Sequence, residues 1–369
     1  MKGYNIMTYT DTSLDKVLGP LPDLFSDGRG GRFDSPECWP EQRELILRNS
    51  VPLLFGGMPP EPEVFYCRHM YANCYLITAG NSEKQISFFM QLHRPKIEGK
   101  CPVVICGDLF GFNDEKIKEA NRRGFIAAVF NRCMLSADNY RVERDYGLFN
   151  VYPDETFSTI AAWAWGYHRC VDALCGMDFV DTDCIAITGL SRGGKTTLLA
   201  AATDERIKFV QSCCSGAAGS GCFRYEQYAD EETVNKYGLG DPRSETLTDL
   251  LRAVPYWLGP DMKDYVGRET ELPFDMHFLK AAVAPRYLLE TISMDDVWAN
   301  PRGCYLTYKA AKEVYEFLGV GENIAQNFRY GPHSHDIYDY CKFYDFIECA
   351  RRGVRYPWHN SELIYGDIL

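Results

Sequence analysis

Residues 183–203, DCIAITGLSRGGKTTLLAAAT, carry two catalytic motifs in one stretch, and the choice between them decides the fold and the chemistry. Gly189-Leu190-Ser191-Arg192-Gly193 has the G-x-S-x-G spacing of a nucleophile elbow, in which a serine sits on a sharp turn between a strand and a helix. Gly189 through Thr196 also spells G-x-x-x-x-G-K-[ST], a phosphate-binding P-loop. Both need a buried strand that ends in a glycine turn and opens a helix. Cys184-Ile185-Ala186-Ile187 supplies the strand and Thr196 to Ala201 the helix, so the arbitration falls to the rest of the chain.

A P-loop enzyme needs an acidic residue at the end of a later apolar strand to hold Mg²⁺. The strand expected over 208–213 runs instead into Cys214 and Ser215, and the motif lies midway along the chain rather than on a first strand. A serine hydrolase with this elbow needs Ser, then Asp or Glu, then His, each in a loop that follows a strand. Ser191 is followed by Asp295-Asp296 after the strand Tyr287 to Thr291. Gly331-Pro332-His333-Ser334-His335 then follows the strand Ile324 to Arg329. The order fits the chemistry. A serine hydroxyl needs an imidazole to take its proton, and the imidazole needs a carboxylate to fix its tautomer. The oxyanion needs N–H donors, and the Arg192 amide at a helix start is the first of them.

Around this stretch, strands and helices alternate from residue 101 onward, which implies a mostly parallel sheet covered on both faces. Strands near 64–66, 73–78 and 85–92 come without intervening helices and suggest an antiparallel edge. The expected fold is therefore an α/β-hydrolase. Residues 1–62 read as an arm packed on the main domain, with a helix near Glu41 to Arg48. Residues 63–369 read as the catalytic domain, with a cap-like insertion over about 216–273.

A formal charge of −12 argues against nucleic acid or an anionic membrane surface as partner. The fifteen cysteines are scattered, odd in number and without C-x-x-C pairs, so neither a disulfide framework nor a structural zinc site is expected. Together with an N-terminal stretch that lacks a signal-peptide core, this makes the cytoplasm the expected compartment. No metal or organic cofactor is implied. Trp163 and Trp165 read as core residues, and His69, His93, His168, His277 and His359 have no partnered spacing.

With these residues in view, the chain resembles carbohydrate esterase family 15, the glucuronoyl esterases. The resemblance is carried by Tyr152-Pro153-Asp154, Ala161 to Gly166, Thr188 to Lys195, Asp204 to Ile207, Ser215-Gly216, Ala284-Pro285-Arg286 and Asp296-Val297-Trp298-Ala299-Asn300-Pro301. It implies an esterase acting on a glucuronoyl or 4-O-methylglucuronoyl ester, with an acetyl esterase of the same fold as the alternative and a P-loop nucleotide-binding protein as a more distant one. The implied partner is a small-molecule or oligosaccharide ester. Ser191, His335 and Asp296 are the expected triad, with Asp295 in reserve for Asp296 and His333 read as a supporting histidine. The resemblance further implies Arg192 in the oxyanion hole and Lys195 and Trp298 on the sugar. A sugar-contacting Glu is implied in the 226–231 region, entered as Glu226. Cys214 stands where many members carry a glutamate that serves as the acid. Leu190 and Asp336 occupy the positions that secreted fungal members join by a disulfide.

Overall fold

The computed structural model describes residues 12–108, 112–139, 144–237 and 242–365. The strands in chain order are β1 (Lys16–Val17), β2 (Val64–Tyr71), β3 (Cys74–Gly80), β4 (Gln85–His93), β5 (Cys101–Cys106) and β6 (Ile126–Phe130). They continue with β7 (Val180–Leu190), β8 (Phe209–Cys213), β9 (Tyr225–Glu226), β10 (Tyr287–Ser293) and β11 (Ile324–Arg329). β1 and β9 form a small antiparallel ribbon. The others form one nine-stranded sheet in the order β11-β10-β8-β7-β5-β6-β4-β3-β2.

From β6 to β11 the neighbours are parallel, whereas β4, β3 and β2 pair antiparallel along one edge. Parallel strands carry helices on both faces, so their sequences read as unbroken apolar runs rather than alternating ones. Within such a run, successive side chains still go to opposite faces. Val103, Ile105, Ile126, Ala128 and Phe130 enter one core, and Val104, Cys106, Ala127 and Val129 the other. The larger core lies under helices Trp39–Phe55, Thr159–Cys175, Arg192–Thr203, His277–Val283 and Pro301–Phe317. Helices Asp114–Arg122 and Ile337–Arg352 cover the opposite face. This is the α/β-hydrolase fold. Trp163 and Trp165 are fully buried and donate their indole N–H groups to Ser136 O (2.7 Å) and Pro60 O (2.9 Å).

The helix expected near 41–48 runs from Trp39 to Phe55, through Pro52. Its second half buries Val51, Leu54 and Phe55, and this packing outweighs the proline's missing N–H. It stops at Gly56, whose φ of +71° and approach to Thr156 O, 2.1 Å from where a Cβ would stand, admit only glycine. Arg43 on this helix donates to Ala282 O (2.9 Å) and Ala202 O (2.6 Å), tying it to the helices beneath the sheet.

The described residues of the segment 216–273 form β9, short helices and turns. Its two ends are clasped by Arg224, which donates to Phe274 O (2.8 Å) and pairs with Asp275 (3.1 Å) out of solvent. No helix among the described residues is long and apolar enough to cross a membrane.

Beside that clasp, His277 is fully buried and donates from Nε2 to Pro22 O (2.8 Å). Burial pushes its pKa down to about 4, against the pull of Asp275. The native ring stays neutral where the unfolded ring takes up a proton. Its contribution is therefore fully present above about pH 6.5 and is lost as pH falls toward 4, roughly 3 kcal/mol over that window. Denaturant titrations at pH 7 and pH 4.5 should show this loss, and His277→Gln, which keeps a donor for Pro22 but cannot titrate, should reduce the difference.

Candidate active site

β7 delivers its last residues into a turn that only small side chains allow. A Cβ on Gly189 would stand 2.5 Å from the Gly193 carbonyl, and one on Gly193 would stand 2.5 Å from the Asp108 carboxylate. Between them Ser191 adopts φ 56°, ψ −119°, a strained conformation for a residue with a side chain. Two hydrogen bonds hold the turn: Ser191 N to Cys213 O (2.8 Å) and Leu190 N to Asp108 Oδ2 (2.9 Å). Asp108 is in turn paired with Arg132, whose guanidinium lies 4.7 Å from the Trp163 ring. Ser191 is the N-cap of the helix Arg192–Thr203, so the N–H groups of its first turn, Arg192 first, are without partners inside the helix. This is the strand–turn–helix geometry of a nucleophile elbow.

Ser191 opens into a cavity of about 600 Å³, whose lining includes Asp108, Arg132, Arg192 and both His333 and His335. The structure gives the two histidines different surroundings from those expected. His333 Nδ1 lies 2.5 Å from Asp296 Oδ2, and its side chain is 39% exposed. His335 is buried beneath the turn, stacked on Tyr340 at 4.2 Å between centroids. Its Nε2 lies 3.2 Å from Gln211 Oε1 and 3.4 Å from Thr188 Oγ1. Burial, with the charges of Lys116 and Arg329 nearby, drives its pKa well below the ordinary imidazole value. No carboxylate is hydrogen-bonded to the His335 ring among the described residues. Of the two rings, His333, and not the expected His335, is the one that meets the Asp296 carboxylate.

Asp296 keeps its expected place. Its neighbour Asp295 has another task, accepting the Gly331 N–H at 2.7 Å and so holding the loop that carries His333. Arg329 donates to Ser334 O (2.6 Å) and Lys116 to His335 O (2.6 Å), which fixes the same loop from below.

The expected sugar contacts fall differently. Lys195 is 2% exposed, and its ammonium donates to Ser215 O (2.7 Å), Ala217 O and Glu245 Oε2 (2.9 Å). These three bonds use its three protons. The lysine that a P-loop would aim at phosphate is committed to the loop after β8. Glu226 lies in the β1/β9 ribbon, accepts from Tyr228 Oη (3.1 Å), and lines a different cavity with Arg243 and Thr270. The carboxylate that does meet Lys195 is Glu245, whose N–H donates to Trp298 O (2.9 Å). Sequence reasoning missed it because it sits within the irregular cap segment, with no strand end to mark it. Trp298 stands two residues after Asp296 and is 40% exposed.

Arg192 is placed with equal specificity. Its guanidinium pairs with Asp138 and lies 5.1 Å from the Trp257 ring. Asp138 also accepts from Trp257 Nε1 (3.0 Å) and Tyr256 Oη (3.2 Å). Asp138, held by Tyr256 and Trp257, thereby keeps the cation beside the cavity while leaving it 45% exposed.

Comparison with known proteins gives the family and the fold. The family model described as "Glucuronyl esterase, fungi" matches residues 77–319. The 4-O-methyl-glucuronoyl methylesterase 1 of Wolfiporia cocos is 30% identical over 341 residues, covering 89% of this chain and 78% of that one. The enzyme from Schizophyllum commune with the same activity in its name is 27% identical, covering 85% and 77%. Among solved structures, a carbohydrate esterase family 15 glucuronoyl esterase from Caldicellulosiruptor kristjansonii superposes with a TM-score of 0.83 at 26% identity, covering 94% of each chain. On the fold, the elbow and these matches, the chain belongs to the glucuronoyl esterase family, carbohydrate esterase family 15.

Proposed function

We propose that this protein is a serine esterase that hydrolyses a glucuronoyl or 4-O-methylglucuronoyl ester by way of an acyl-enzyme, with Ser191 as nucleophile, His333 as base and Asp296 as the orienting acid. The observation that carries the reading is the 2.5 Å contact of His333 with Asp296, on the rim of the cavity into which Ser191 opens. With Nδ1–H directed at Asp296, the His333 lone pair is on Nε2, available for the Ser191 proton.

Ser191 Oγ attacks the ester carbonyl as its proton passes to His333. The carbonyl oxygen becomes an anion, met by the Arg192 N–H at the helix start and by the positive field of the guanidinium beside it. Collapse of the tetrahedral adduct gives the proton from His333 to the departing alcohol. Water then enters and attacks the acyl carbon as its proton passes to His333, and the uronic acid leaves as His333 returns that proton to Ser191 Oγ. No step calls on a group other than these side chains and the backbone.

The names of the relatives support a uronoyl rather than an acetyl ester. A purified sample should turn over methyl glucuronate at a kcat/KM at least about tenfold above that for acetylated xylose, a difference of about 1.4 kcal/mol in transition-state binding. The reverse preference would assign the acetyl esterase reading. The cytoplasm belongs to the same proposal, supported by fifteen cysteines with no disulfide among them. There the substrate is a small or imported oligosaccharide ester, and recovery of the enzyme from the culture medium would overturn the assignment.

A further inference from the structure

Three strand ends meet behind the proposed base. Cys214 follows β8, Asp296 follows β10 and His333 follows β11, and one donor atom from each lies within 4.8 Å of the other two. Sulfur, nitrogen and oxygen in one cluster form a donor set that suits zinc and related thiophilic cations better than Mg²⁺ or Ca²⁺. The cysteine is placed with care. Its backbone takes φ 42°, held by Cys214 N donating to Thr291 O (3.0 Å), and its sulfur accepts the Ser293 N–H at 3.3 Å. That N–H would offset part of the negative charge of a thiolate formed there. The thiol donates to Thr291 O (3.8 Å).

We propose that Cys214, Asp296 and His333 form an inhibitory binding site for Zn²⁺. Its ligands are the Cys214 thiolate, one Asp296 oxygen and a His333 ring nitrogen, and the fourth position opens on the cavity side, where His333 is partly exposed. On binding, the Cys214 thiol gives its proton to solvent, and the His333 proton moves from Nδ1 to Nε2 so that Nδ1 can take the cation. His333 can then no longer cycle a proton for Ser191, so hydrolysis stops until the metal leaves. Tetrahedral Zn²⁺ with bonds of about 2.0–2.3 Å sets its ligand atoms somewhat under 4 Å apart, so the cluster needs only small side-chain rotations to close.

The test combines a rate and a spectrum on the whole, chelator-stripped protein. Ester hydrolysis should fall by about tenfold or more at a modest molar excess of Zn²⁺, be restored by a chelator, and be indifferent to Mg²⁺. Cys214→Ser and Cys214→Ala, each compared with its own metal-free rate, should need on the order of tenfold more zinc for the same fractional loss. Independently of any turnover, Co²⁺ should give a thiolate charge-transfer absorption in the native protein that both variants lack. Equal zinc sensitivity in the native protein and the variants, or a cobalt–thiolate band that survives in both variants, would overturn the assignment. The cobalt spectrum reads the site even if the preferred ester proves to be a different one, so failure here is distinct from failure of the substrate assignment.

Discussion

Replacing Ser191 with alanine is expected to lower kcat on methyl glucuronate by about a million-fold, with residual hydrolysis due to the oxyanion site and substrate binding alone. KM should change little, because the hydroxyl contributes to the transition state rather than to ground-state binding. The fold should be indifferent to this change. Alanine meets the same strain at φ 56° as serine does, and the two hydrogen bonds that pin the turn are made by the backbone and by Asp108. Glycine at this position separates the strain from the chemistry. Ser191→Gly should be as inactive as the alanine variant, yet melt higher, by up to about 1–3 kcal/mol of released strain less the entropy cost of glycine. An inactive variant with an unchanged or raised melting temperature isolates the nucleophile from any structural effect.

The second large effect concerns the base. His333→Ala should cost about as much as the serine variant, because members of one triad act as a unit and their losses do not add. Asp296→Asn should cost about four orders of magnitude, since an amide that donates to Nδ1 imposes the wrong tautomer on the ring. His335→Gln should behave in another way. A glutamine amide can still donate toward Gln211, but it loses the stack on Tyr340, so stability should drop by about 1–3 kcal/mol while the triad stays assembled. kcat should then remain within about a hundredfold of the native value. Kinetics and thermal melts on the four proteins would register the contrast, and a near-silent His333→Ala would contradict it.

Much of this was legible in the sequence, for identifiable reasons. Buried parallel strands such as Ile126–Phe130 are unbroken apolar runs, and glycines at 189 and 193 are what a tight elbow requires. The order Ser191, Asp295-Asp296, histidine loop followed from strand ends, and the family resemblance selected Asp296 from the pair. The choice between His333 and His335 did not. They stand two residues apart in one loop and local pattern treats them alike. What separates them is tertiary: Tyr340, Gln211 and Thr188 enclose one ring, and Asp296 receives the other. Glu245 was hidden for a similar reason, since the cap segment has no periodicity from which to count. Lys195 stood correctly one turn beyond the serine, yet its three donors are directed at Ser215, Ala217 and Glu245, partners no spacing rule could supply.

The most direct measurement is to label the protein with a serine-reactive fluorophosphonate and map the adduct by peptide mass. One adduct is expected, on Ser191, formed rapidly in the native protein and in His335→Gln but slowed by several orders of magnitude in His333→Ala. A label on another residue, or one that forms on Ser191 at the native rate without His333, would contradict the assignment of Ser191 and His333 as nucleophile and base.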